Sequence, residues 1–180
     1  MLQIVANQLD GVLLLEPTVH GDARGFFMES YHEEQMQALG VSTAFVQDNH
    51  SLSQAAGTLR GLHYQLAPKA QTKLVRVLAG AIYDVVVDLR EGSPSFGQWA
   101  GFILSAHNFR QLLVPRGFAH GFCTLVPNTE VFYKVDNYYS PEHDRGILWN
   151  DPALGIDWPI TKPVLSDKDR LHPLLADAQV

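Results

Sequence analysis

The chain has 180 residues, 46% of them hydrophobic, and a formal net charge of −6. That length supports one globular unit with a sizeable core, and an acidic chain without a Lys/Arg cluster argues against nucleic acid as a partner. The single cysteine, Cys123, excludes an intrachain disulfide and suits a reducing cytoplasm. The opening Met1-Leu-Gln-Ile-Val-Ala-Asn7 lacks the basic and long apolar regions of a signal peptide. No stretch reaches the roughly 20 apolar residues of a membrane span.

In chain order, β-rich runs at 12–15 and 25–31 flank the turn residues Gly21-Asp22. A short helix is expected over 32–39, stopped by Gly40. Strands follow at 45–47, 58–65, 72–79, 82–89, 101–104, 111–114, 120–125 and 131–137. Ala79-Gly80, Glu91-Gly-Ser-Pro94 and Pro127-Asn128 supply turns between them. Many short strands at near-regular spacing argue a sandwich or barrel. No internal repeat, linker or domain boundary interrupts residues 1–180. The barrel core is expected over roughly 45–140, with the N-terminal strands and the segment from Pro141 packing around it.

Side chains two apart on a strand share a face. Lys73 therefore lies with Val75, Val77 and Ala79, Tyr133 with Val131 and Val135, and Asp84 with Ile82 and Val86. Each is a polar group on an apolar, inward face, a common form of ligand site. Asp84 is placed to tune Lys73 or His63.

The spacing of Arg60-Gly-Leu-His-Tyr-Gln65, Lys73, Gly80 and Pro115-Arg-Gly-Phe-Ala-His120 is that of a metal-binding double-stranded β-helix, or cupin. Two ligand positions are changed: Gln65 stands where a second His is usual, and Lys73 where a Glu is usual. A cation does not ligate a divalent metal, which takes neutral or anionic donors. No metal is expected, and the chemistry falls to His63 and Lys73 themselves. His63 suits a general base, because imidazole titrates near neutral pH.

Further stretches resemble one family. They include Gly21-Asp-Ala-Arg-Gly-Phe-Phe-Met-Glu-Ser30, Phe45-Val-Gln-Asp-Asn-His-Ser51, Ser95-Phe-Gly-Gln-Trp99, Asn137-Tyr-Tyr-Ser-Pro141, Trp149-Asn-Asp151, Gly155-Ile-Asp-Trp-Pro159 and Leu165-Ser-Asp-Lys-Asp169. Together with the motifs above, they resemble the dTDP-4-dehydrorhamnose 3,5-epimerases, in collinear order from about Gly11 to Asp169. The resemblance implies an all-β, cupin-like jelly roll with short peripheral helices. It implies a cytoplasmic homodimer without metal or cofactor that exchanges N-terminal strands. The implied reaction is inversion of C3 and C5 of dTDP-4-dehydro-6-deoxy-D-glucose through an enolate.

By motif position His63 is the base and Asp169 its orienting carboxylate. Lys73 holds the enolate charge, and Tyr133 is the acid on the far face. Arg24 and Arg60 match diphosphate contacts; Glu29, Gln47, Asn49, His120, Asp144 and Lys168 match other binding positions. Tyr139 matches the aromatic that stacks on thymine, with Tyr138 packing structurally beside it. Read without the resemblance, Arg24 is a turn residue in a surface ion pair. His20, His32, His107, His143 and His172 match no motif and are expected in solvent, and Cys123 in the core. The competing readings are a mono-epimerase of another dTDP-4-keto-deoxysugar pathway, a metal-dependent cupin and a non-catalytic sugar-binding cupin.

Overall fold

The structure, a computed structural model, describes residues 1–180 as two facing antiparallel sheets. The strands are β1 (Leu2–Ala6), β2 (Leu13–Pro17), β3 (Val19–Asp22), β4 (Gly25–Met28), β5 (Gln47–Ser53), β6 (Leu59–Gln65), β7 (Lys73–Ala79) and β8 (Ala81–Asp88). They continue as β9 (Trp99–Ser105), β10 (Gln111–Val114), β11 (Phe118–Thr124), β12 (Thr129–Val135) and β13 (Asp144–Gly146). One short helix, α1 (Glu33–Ala38), and a 3-10 turn at Leu175–Asp177 complete the chain. No helix is long and apolar enough to cross a membrane.

One sheet runs β1-β2-β10-β7-β12-β5, and the other β13-β6-β11-β8-β9. Between them lies the main core, which includes Val75, Val77, Ile82, Val86, Leu112, Phe118 and Val131. The strand parity expected for Lys73, Tyr133 and Asp84 is therefore the observed one, because their face-mates are the core. The outer faces are covered as well. Met36 of α1 and Val41 close over Leu15, Leu74 and Leu113. The C-terminal segment lays Ile147, Leu154 and Trp158 over Leu62, Val85 and Val87. Two buried faces explain the unalternating apolar runs Val85-Val-Val87 and Leu112-Leu-Val114.

Some elements differ from the expected ones. The strand expected at 45–47 is Gln47–Ser53, while Gly21-Asp22, expected as a turn, end strand β3 and the turn falls at 23–24. β1 and β13 carry too few apolar alternations to stand out. The N-terminal strand β2 pairs with β10, so the sheet reaches outside 45–140. β3 and β4 pair only with each other, leaving Phe26 and Phe27 60% and 68% exposed on the hairpin.

Candidate active site

β6 and β11 pair with His63 opposite His120. Two glycines let these strands close in. A Cβ on Gly61, whose φ is +129°, would lie 2.5 Å from the Gly121 Cα. The register shifts between His120 and Phe122, and both imidazoles line one cavity of about 280 Å³ between the sheets. The facing sheet contributes Lys73 from β7 and Tyr133 from β12. A second concavity of about 170 Å³ shares His63, Lys73, Tyr133 and Lys168 and adds Gln47, Asn49, Tyr139 and Asp144. The two form one groove with a reactive floor and a polar arm.

His63 Nε2 donates to Asp169 Oδ1 at 2.5 Å. That bond fixes the proton on Nε2 and leaves Nδ1 with its lone pair. Burial pulls the His63 pKa below the ordinary imidazole value, against the raising effect of Asp169. Asp169 is itself buried, which favours its neutral form. Donors from His63 and Ser166, with the His172 imidazole beside it, nevertheless hold it well below the carboxylate range. His63 therefore stands neutral near pH 7 beside a fixed anion, the state a general base needs.

Lys73 is 8% exposed and donates to the His63 carbonyl at 3.3 Å. Burial lowers its pKa to about 8, opposed by the charges of Asp84 and Asp144. Tyr133 packs on the main core, and burial keeps its hydroxyl protonated above the ordinary phenol value. A neutral base in one sheet thus faces a buried cation and a weak acid in the other. That set suits removal of a proton next to a carbonyl, with the charge held on oxygen.

Asp84 does not bond His63 or Lys73. Its Oδ1 accepts His120 Nε2 at 2.6 Å, both side chains buried, while Oδ2 has no hydrogen-bond partner. Asp84 thus fixes His120 and acts on Lys73 only through its field. Gln65, at the lost ligand position, is spent on backbone: Nε2 donates to the Lys69 and Tyr138 carbonyls, and Oε1 accepts the Ser140 N–H at 2.7 Å.

On the rim, Arg60 lines the cavity and donates from Nε to Ser53 Oγ at 3.2 Å. Gln47 donates to Asn49 Oδ1 at 2.9 Å and accepts the Tyr139 N–H at 3.3 Å. Asp144, brought in by β13, accepts from the Tyr139 hydroxyl at 3.0 Å and from Lys168. Tyr139 presents a ring 56% exposed beside the groove.

Arg24 and Glu29 are not at this cavity in the single chain. Arg24, its side chain 90% exposed, pairs with Asp22 at 2.5 Å, the ion pair expected of a turn residue. Glu29 accepts from Gln35 at 2.8 Å. The largest concavity, about 470 Å³, is the open side of the β3–β4 hairpin and is lined by that hairpin alone, so it is not an enclosed site.

Two expectations are corrected. Tyr138 is 60% exposed rather than packed, and its contact with the site is through its carbonyl, which accepts from Gln65 Nε2 at 3.3 Å. His172 is not in solvent: its side chain is 8% exposed, and Nε2 lies 3.4 Å from Asp169 Oδ1. Its spacing three residues after Asp169 was the one available signal. Cys123 is buried in the core as expected, its thiol pushed up to about 11.

Two facing sheets enclosing an Asp-held imidazole, a buried lysine and a buried tyrosine define a cupin-like barrel. The family model for dTDP-4-dehydrorhamnose 3,5-epimerase matches residues 6–177. The Pseudomonas aeruginosa enzyme of that name is 56% identical over 169 residues, covering 93% of this chain and 92% of that protein. The crystal structure of the Bacillus anthracis enzyme with TDP and PPi bound superposes with a TM-score of 0.96 at 61% identity, covering 97% of this chain and 99% of that one. That of the Legionella pneumophila enzyme with dTDP-4-keto-L-rhamnose gives 0.93 at 49% identity, covering 98% and 94%. The chain belongs to the dTDP-4-dehydrorhamnose 3,5-epimerase family.

Proposed function

We propose that residues 1–180 act as one epimerase domain. It converts dTDP-4-dehydro-6-deoxy-D-glucose to dTDP-4-dehydro-L-rhamnose in dTDP-L-rhamnose biosynthesis. The observation that carries this reading is the meeting of Asp169-held His63, Lys73 and Tyr133 in one cavity, two of them on the sheet facing the first. His63 Nδ1 takes the proton from the carbon next to the ketone, and the electron pair moves onto the C4 oxygen. The Lys73 ammonium holds that charge. Tyr133 then gives its hydroxyl proton to the opposite face of the carbon, inverting it. Solvent restores the tyrosine proton and removes the one on His63, and the cycle repeats at the second carbon.

Arg60 serves the diphosphate, Tyr139 the thymine ring, and Gln47, Asn49, His120, Asp144 and Lys168 the remaining polar groups. The exposed Phe26 and Phe27 support strand exchange in a homodimer, with Arg24 and Glu29 completing the partner's site. Light scattering should then give close to twice the 20.0 kDa chain mass. A fully active monomer would contradict the exchange. The one cysteine, free and buried, suits the cytoplasm.

The reaction needs no metal. His63, Asp169 and His172 do offer donor atoms within 4.8 Å of one another. The short His63–Asp169 hydrogen bond and the nearby Lys73 cation, however, oppose a second cation there. Protein stripped by exhaustive chelation is expected to convert dTDP-4-dehydro-6-deoxy-D-glucose at the full rate. Activity lost on chelation and regained with Zn²⁺, Fe²⁺ or Mn²⁺ would overturn this reading.

A further inference from the structure

His172 lies beside the base, yet the mechanism above leaves it idle. Its Nε2 is buried and has no hydrogen-bond partner, a costly state for a polar atom. It lies 3.4 Å from Asp169 Oδ1, the oxygen that also accepts His63. At that distance it makes no proper hydrogen bond, and the interaction is that of an N–H dipole with a carboxylate. The ring stands edge-on to His63, with centroids 5.5 Å apart and planes at 76°.

The chain is shaped to admit this ring. Gly146 pairs across the sheet with His63, and a Cβ there would collide with the His172 imidazole. The next residue is tied down by Leu148 N–H donating to the Pro173 carbonyl at 2.8 Å. Asp169 thus has a fixed imidazole on either side and Ser166 on its other oxygen, at 2.8 Å.

We infer that His172 is a positioning residue that acts through Asp169 on the base, its buried Nε2–H drawing charge from the carboxylate oxygen that holds His63. The inference rests on the epimerase reading for its place in catalysis, though not for its first test. A carboxylate shared between two donors stabilises the His63 imidazolium less. His63 is then kept neutral, and it returns its proton more readily between the two inversions. Lys73, His120 with Asp84 behind it, Tyr133, Asp144 and Lys168 also face this region. None of them touches Asp169 Oδ1 as His172 does.

The experiment is an NMR titration of the His63 ring in the ligand-free protein, for wild type, His172→Phe and His172→Gln. Phenylalanine keeps an edge-on ring but removes the donor. The His63 midpoint should rise by about 0.2–0.4 pH unit, less than one full hydrogen bond would give. Glutamine restores an N–H donor and should bring the midpoint back. The acidic limb of kcat/KM should move in parallel. An unmoved midpoint in folded His172→Phe overturns the inference, as does an equal shift in both variants, which would mark a packing effect. If His172→Phe does not fold, a His172→Gln midpoint at the wild-type value supports the donor role, and a shifted one overturns it. Because the titration needs no turnover, it stands even if the protein proves inactive on the sugar nucleotide.

Discussion

Replacing His63 by alanine is expected to abolish deuterium uptake at both C3 and C5, with a loss of about 10²–10⁴-fold in turnover. No other imidazole in the cavity is placed to replace it, because His120 is committed to Asp84. Tyr133→Phe should behave differently. It removes only the donor on the far face, so the enolate still forms and is re-protonated by the His63 imidazolium from the side it left. The variant should exchange deuterium at the first-reacting carbon while losing net inversion. A pocket that had merely lost its shape would lose exchange and inversion together. Equal loss of both in well-folded Tyr133→Phe would remove Tyr133 as the far-face acid. Exchange retained in His63→Ala would move the base to Asp84 or His120.

Lys73→Met is expected to cost about 10²–10³-fold in kcat, the size of one lost oxyanion donor. It should leave thermal stability unchanged or raised, because the charge removed is one whose burial is unfavourable. The pH profile adds a signature. Lys73 stabilises the enolate only when protonated, a state present below its pKa of about 8 and lost above it. His63 works only when neutral, and its pKa lies below the ordinary imidazole value, so the acidic limb should also fall there. Wild-type kcat/KM should therefore trace a bell whose alkaline limb falls near pH 8. That limb should vanish from the residual activity of Lys73→Met. Its survival in the variant would assign it to another group.

The inward parity of Lys73, Tyr133 and Asp84 was legible because period-two alternation with valines survives in β7, β8 and β12. The strand at 111–114 was legible for its apolar run between turns. β5 was misplaced because Gln47-Asp-Asn-His-Ser-Leu-Ser53 is a polar edge strand, held by its pairing with β12 rather than by its own composition. β13 has only three residues and exists through its contact with β6, yet it carries Asp144 to the groove. The burial of His172 depends on an absent side chain at Gly146, 26 positions away in sequence, and no local pattern encodes that. The Asp84–His120 pair needs the β8–β11 register, which places Asp84 beside Phe122 and thus diagonal to His120. Arg24 and Glu29 lie away from the cavity, tied locally to Asp22 and Gln35, and the proposed exchanged dimer is what would bring them to a site.

Double epimerisation by proton transfer through one enolate-forming site leaves an isotopic record at both carbons. Its most direct measurement is NMR of dTDP-4-dehydro-6-deoxy-D-glucose incubated in D₂O with the chelated wild-type protein. Deuterium is expected at both C3 and C5, appearing with conversion to the L-rhamno configuration. Deuterium at only one carbon would make the protein a mono-epimerase, and its absence from both would rule out proton exchange through an enolate.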